Sequence, residues 1–306
     1  MSLLVVGSLA LDTIETPFGK AERTLGGSAT FVSVAASYFI QPVRLVGVVG
    51  GDFPKDDIEF LKDRGVDLEG LQIIEDGKTF HWHGKYHYDL NSRDTITTEL
   101  NVFADFDPII PEAFQRSTYL CLGNINPELQ KKVLLQMAGP KLIVADTMNF
   151  WIEGKHDALL DVIKHINVLI INDSEARELS GEANLIKAAR RIEEMGPKTL
   201  IIKKGEHGAL LFHENEMFSA PAYPLESIFD PTGAGDSFAG GFIGYLAKTD
   251  DISYENMKRA VVYGSTIASF AVEKFSLEGI KDLSYFEIKD RFNEFKRFSS
   301  FDAGEL

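Results

Sequence analysis

The chain has 306 residues, 44% apolar and 25% charged, which excludes disorder or membrane burial as its dominant state and fits one large α/β domain with a small appendage. With 31 basic against 46 acidic side chains the net charge is −15, so neither nucleic acid nor an anionic membrane surface is an expected partner. Cys121 is the only cysteine, which leaves no intrachain disulfide or cysteine-based zinc site; without a basic leader or a long apolar run, the expected compartment is the cytoplasm.

In chain order, β-branched runs at 3–7, 44–49, 118–122, 142–145, 168–171 and 199–203 predict strands. Between and after them, apolar residues at three- and four-residue spacings predict helices at 28–39, 56–64, 127–137, 157–165, 183–195, 235–247, 254–270 and 285–295. That alternation implies a mostly parallel sheet covered on both faces. Residues 13–24 and 78–103 break the rhythm. Alternation such as Phe80-His81-Trp82-His83 and Lys85-Tyr86-His87-Tyr88 suits antiparallel strands with one wet face. Both segments lie beside strand ends, where open α/β sheets bind ligands, and they read as a small β-sheet lid. His81 and His83 stand two apart, on one face of a strand, with His87 and Asp89 nearby, but no ligand set completes a metal site and a polar, aromatic sheet face is the better reading.

The most informative stretch is Asp230-Pro231-Thr232-Gly233-Ala234-Gly235-Asp236, followed by the small, apolar run 237–243. Small residues where a loop becomes a helix leave amides unobstructed, and the helix dipole adds positive charge, so the spot attracts a phosphate. Asp236 beside it can take the proton of an attacking hydroxyl. Taken alone, the segment is also compatible with a tight turn and a helix charge that complements the dipole. Three other segments have a similar double reading. Gly26-Gly27 opens a core helix and lets backbone approach a ligand; Asn172-Asp173-Ser174-Glu175 is either a helix cap or a ligand turn; Lys203-Lys204-Gly205-Glu206-His207-Gly208 ends a strand and leads into a hairpin at 209–213.

Together these segments resemble the ribokinase-like (PfkB) carbohydrate kinases over nearly the whole chain, with Asp12, Gly50-Gly51-Asp52 and Arg64-Gly65-Val66-Asp67 adding to the match. The resemblance implies a single kinase domain over 1–306, a three-layer α/β/α sandwich with a mostly parallel central sheet and a lid formed by 13–24 and 78–103. It implies transfer of the γ-phosphoryl group of ATP, with magnesium, to a hydroxyl of a small sugar; a nucleoside is the alternative acceptor. Asp12, Gly26 and Gly27 would hold that acceptor, and Asp236 would be the base beside an anion hole of Gly233, Ala234 and Gly235. Asn172 and Glu175 would organise magnesium and phosphates, Glu175 through water, while Lys203, Gly205 and Gly208 would line the nucleotide side. Phe31 stands where the family usually has an Asn, exchanging polar recognition for a stacking surface. Asp146-Thr147-Met148-Asn149 has a supporting role, since its spacing differs and the family's usual Arg is absent. A second copy of the chain, joined through the lid, is a further partner.

Competing readings fare worse. A non-catalytic sugar-binding regulator has no need of the intact 233–236 segment. A dinucleotide oxidoreductase needs a glycine fingerprint that Gly47-Val48-Val49-Gly50-Gly51-Asp52 does not provide. Gly77-Lys78-Thr79 resembles the end of a P-loop, but Gln72 occupies the position of its first glycine.

Overall fold

Leu3–Val6 (β1) is apolar at every position and buried on both faces, so it requires strands on either side and helices above and below. The computed structural model, which describes residues 1–300, supplies both. After β1 come Ala10–Thr16 (β2), Gly19–Gly26 (β3), Ser28–Ser37 (α1), Val43–Gly50 (β4), Lys55–Asp63 (α2), Val66–Ile74 (β5), His81–Tyr86 (β6) and Arg93–Glu99 (β7). The middle of the chain forms Tyr119–Leu122 (β8), Pro127–Gln136 (α3), Leu142–Asp146 (β9), Asn149–Gly154 (α4), His156–Ile163 (α5), Val168–Asn172 (β10), Asp173–Ser180 (α6) and Leu185–Glu193 (α7). Thr199–Lys203 (β11), Ala209–His213 (β12), Glu216–Ala220 (β13), Ala234–Thr249 (α8), Tyr254–Ala271 (α9) and Tyr285–Ser299 (α10) complete it.

Nine strands form the large sheet in the order β13-β12-β11-β10-β9-β8-β1-β4-β5. From β5 to β11 every pair is parallel, and only the β12 and β13 edge runs antiparallel. Alternate residues feed two cores, as the pleat requires. Leu3 and Val5 pack towards α1, α8 and α9, whereas Leu4 and Val6 pack towards α3, α5, α6 and α7. The expected three layers are therefore present. Strand β5, which the sequence reading missed, is a half-exposed edge whose Asp67, Glu69 and Gln72 obscure its period. Of helix α6 only the cap at 172–175 was anticipated, because its eight residues follow β10 without a loop.

The second sheet has the order β3-β2-β6-β7; β6 and β7 lie inside the expected segment 78–103, whereas β2 and β3 span 10–26 and overrun the expected segment 13–24 at both ends. Its pairing differs from expectation in one respect: β2 and β6 are parallel, with Leu11 opposite His81 and Glu15 opposite Lys85. The reason is topological, since β2 and β6 each continue from a strand, β1 and β5, that already runs parallel in the large sheet. The histidines do not converge. His81 bonds Thr13 Oγ1 at 3.1 Å, His83 bonds Glu15 at 3.1 Å and His87 pairs with Asp94 at 3.1 Å.

Helix α8 is positioned by close backbone approach on two sides. A Cβ at Gly240 would overlap Val32 O and lie 2.7 Å from Ala35 Cβ on α1, and one at Gly241 would lie 3.0 Å from Gly264 Cα on α9. Gly240→Val is expected to cost about 1–3 kcal/mol by overpacking, against less than about 0.5 kcal/mol for Gly154→Ala. At Gly154 a Cβ meets nothing within 4 Å. Urea unfolding of both variants checks this; equal midpoints would mean that α8 is not held by this contact.

Candidate active site

The loop entering α8 is fixed before the helix begins. Asp230 is buried and accepts from the amides of Thr232 at 2.8 Å and Ser276 at 2.9 Å, which ties the loop to the segment after α9. Gly233 has φ 72° and caps α8, and a Cβ on it would run into the Phe31 ring, so this position requires glycine twice over. The first helical bond runs from Ser237 N to Gly233 O at 2.8 Å. Ala234 N already donates to Pro231 O at 3.2 Å, so one of the three anticipated anion-hole donors is engaged in the turn. Among the described residues the N–H groups of Gly233 and Gly235 have no such main-chain partner.

Four ionisable groups converge beside this helix start. Asp146 ends β9, Glu175 lies in the first turn of α6, Lys203 ends β11 and Asp236 is the third residue of α8. Lys203 Nζ is 3.4 Å from Asp146 Oδ2, and a Cβ on Gly235 would be 2.8 Å from the same ammonium. Burial works against the charge on Lys203, but Asp146, then Glu175 and Asp236, outweigh it and hold the proton more firmly than usual. The carboxyls respond in the opposite sense. Burial, then the charge of Asp146, pushes Asp236 up to about 7 and Glu175 up to about 7, with Lys203 opposing both shifts. Asp146 itself is raised by burial and restrained by Lys203. Asp146, expected to have a supporting role, is the direct ion-pair partner of Lys203.

Asn172 and Glu175 form a reciprocal helix cap: Glu175 N donates to Asn172 Oδ1 at 2.8 Å and Asn172 N donates to Glu175 Oε2 at 2.7 Å. The capping and ligand readings of this turn are compatible, because the cap fixes a buried carboxylate that faces Asp146 and Lys203. Among the described residues no three His, Cys, Asp or Glu side chains are arranged to cage a metal. The carboxyls of Glu175 and Asp146 are the kind of oxygen ligands that a hard cation such as magnesium takes one or two of, completing its shell with water and phosphate.

Among the residues expected to hold the acceptor, Asp12 is 5% exposed and pushed up to about 8 by burial, then Asp230, while the Gly27 amide steadies its anion. A Cβ on Gly26 would overlap the Asp12 carboxylate, and Gly27, at φ 93°, comes within 2.5 Å of Ser8 O by the same construction. Phe31 is placed differently from expectation: at 1% exposed, with Gly233 over its ring, it lies in the core and offers no stacking surface. A different aromatic stands opposite Asp12 in the strand register, its indole donating to Thr95 Oγ1 at 3.4 Å. Trp82, its register partner across β2 and β6, lies with its indole where a Cβ on Gly84 would be. In the turn expected to line the nucleotide, Lys204 N donates to Gly208 O at 2.8 Å, closing the loop that contains Gly205. Sequence reasoning also missed Arg93, whose charge lowers the proton affinity of Glu175 and Asp236. Turn residues Asp89, Asn91 and Ser92 were the available signal, since a hairpin around them places residue 93 opposite Tyr86.

The family model for pfkB family carbohydrate kinase matches residues 2–281. The chain belongs to that family. It is 33% identical over 248 residues to a cytidine kinase of Thermococcus kodakarensis, covering 79% of this chain and 87% of that protein. It is 24% identical to a nucleoside kinase of Methanocaldococcus jannaschii, over 83% of this chain and 81% of the other. Among solved structures, one described as ribokinase II from E. coli, in complex with ATP and Mg2+, covers 96% of this pfkB family chain and 99% of its own at TM-score 0.80 and 20% identity, a likeness of fold. Among the described residues no helix is long and apolar enough to cross a membrane.

The raised proton affinity of Asp236 has a consequence for stability. Its ordinary value is 3.8 and its folded value about 7, so the native state binds more protons than the unfolded chain between those pH values. Stability from this group is therefore lost as pH rises through that window. Asp236→Asn is expected to raise Tm more at pH 8 than at pH about 4, as read by calorimetry at both. An increment independent of pH would show that Asp236 is not held protonated.

Proposed function

We propose that the chain is an ATP- and magnesium-dependent nucleoside kinase, with Asp236 as the base. The observation that carries the chemistry is the position of Asp236 in the first turn of α8, beside the free N–H groups of Gly233 and Gly235 and the Lys203 ammonium. For the acceptor, the sequence reading put a small sugar first. The similarity to a cytidine kinase over 87% of that protein, together with Trp82 opposite Asp12, favours the nucleoside.

In this mechanism Asp12, Gly26 and Gly27 hold the acceptor's sugar and Trp82 stacks on its base. The acceptor oxygen attacks the γ-phosphorus in line as its proton passes to Asp236. The bond from that phosphorus to the β–γ bridging oxygen breaks, and its electron pair leaves on ADP. Gly233 N–H, Gly235 N–H and Lys203 stabilise the equatorial oxygens. Asn172, Glu175 and Asp146 would hold magnesium, which would supply neutralisation of phosphate charge, and Gly205 and Gly208 let backbone lie against the nucleotide.

Asp236→Asn is expected to reduce kcat by about 10²–10⁴ while acceptor affinity survives, because the amide keeps the shape and cannot take the proton. Calorimetry and ADP release measure the two separately; a rate near wild type removes Asp236 from the base role. In the same assay cytidine and adenosine should exceed ribose and fructose in kcat/KM by about tenfold or more, a preference that Trp82→Ala erases, since base stacking is worth ~1–3 kcal/mol. Sugars ranking first would restore the sugar reading, and ligand binding with no ADP release from any of them would favour a regulator.

The small sheet is the lid in this proposal, closing to exclude water from ATP. Hydrogen exchange over 78–103 should slow when acceptor is added. Protection confined to the large sheet would show that the small sheet is not the cover.

A further inference from the structure

Strands β8 and β9 stop pairing one residue short of the charged cluster. Their register ends at Leu122 opposite Ala145, and Gly123 and Asp146 lie just beyond it. On its other side Asp146 is still held, opposite Ile170 of β10. The open side is closed by a side chain. Gln130, in the first turn of α3, is fully buried, and its Nε2 donates to Gly123 O at 2.9 Å and to Asp146 O at 3.1 Å. Both acceptors are carbonyls, so the amide can face them only with its nitrogen. Its Oε1 is left without a protein partner among the described residues. Core packing alone does not call for an amide that leaves a buried oxygen unpaired.

The bond to Asp146 fixes a peptide plane. The carbonyl of the Asp146–Thr147 peptide accepts from Gln130, and the N–H of the same unit, that of Thr147, donates to Asp146 Oδ1 at 2.8 Å. Because the unit is planar, holding its oxygen also sets the direction of its N–H. With Oδ1 committed to that N–H, Oδ2 is the oxygen that faces Lys203 Nζ at 3.4 Å. A chain of contacts therefore runs from Gln130 through one peptide to the carboxylate and on to the ammonium.

We propose that Gln130 is a positioning residue for phosphoryl transfer: by clamping the Asp146–Thr147 peptide it aims the Asp146 carboxylate, and through it holds Lys203 beside the start of α8. In this role it touches neither nucleotide nor acceptor and moves no proton. The inference rests on the reading above in which Lys203 serves the transferred phosphoryl group, whichever acceptor proves correct.

The test compares wild type with Gln130→Met, which keeps the length and removes both donors, with Gln130→Glu, which carries at most one donor, with Asp146→Asn, and with Gln130→Met combined with Asp146→Asn. Turnover and acceptor KM are measured well below each unfolding midpoint, and acetic anhydride labelling of Lys203 is followed in the metal-free protein. Each Gln130 variant is expected to lower kcat by about 10–10²-fold with acceptor KM within about twofold of wild type, since a small misplacement arising away from the chemistry can cost that much. Because both changes act on one carboxylate, the double variant should fall no further than Asp146→Asn alone. Lys203 should label faster in the Gln130 variants, as the loosened carboxylate no longer engages the ammonium. A kcat within about twofold of wild type for the Gln130 variants, unchanged labelling of Lys203, or losses that multiply in the double variant overturns the assignment. A wild-type protein that turns over no acceptor overturns the kinase reading instead, so the two failures are distinct.

Discussion

The contact on which the site depends is the Lys203 ammonium held among Asp146, Glu175 and Asp236. Adjacent parallel strands β9, β10 and β11 deliver Asp146, the Asn172 cap of Glu175 and Lys203 to the same edge of the sheet, and α8 brings Asp236 to meet them. Removing one partner of the Lys203–Asp146 pair would leave the other charge desolvated, at a cost of about 3–5 kcal/mol, so that pair is what fixes the ammonium among the carboxyls. The carboxyls have high proton affinity and the lysine is firmly charged. A cluster of that kind is tuned to exchange protons near neutrality.

The second constraint is steric. The start of α8 can present its amides only because the helix flank carries glycine where α1 and α9 press on it, and because Gly233 adopts a positive φ over Phe31. Core packing and anion binding are therefore not separable here. The same short run of small residues that would open the N-terminus to a phosphate under the proposed function also fixes the helix against its neighbours.

Much of this was legible in the chain. The β-branched runs that became β1, β4, β8, β9, β10 and β11 are apolar because both faces are covered, and no other local structure hides so continuous a run. The 230–236 segment was legible because its chemistry is local: turn, helix start and carboxylate lie within seven consecutive positions. What depended on long-range placement was not. Phe31 reads as a free ring until Gly233, about two hundred positions later, closes over it. Asp146 reads as incidental until Lys203 meets it, and the direction of β6 relative to β2 follows from the large sheet rather than from either segment.

Asp12 belongs to β2, so the group proposed to hold the acceptor is part of the small sheet, whereas Asp236 and the amides of Gly233 and Gly235 lie at the start of α8, a helix packed on the large one. Short connections after β1, β3 and β5 join the small sheet to that layer. Under the proposed function, the residue that selects the acceptor and the residue that takes its proton are thus supplied by the small sheet and by α8 respectively, so a substitution among the strands around Asp12 would change what is bound while leaving the packing that positions α8 intact.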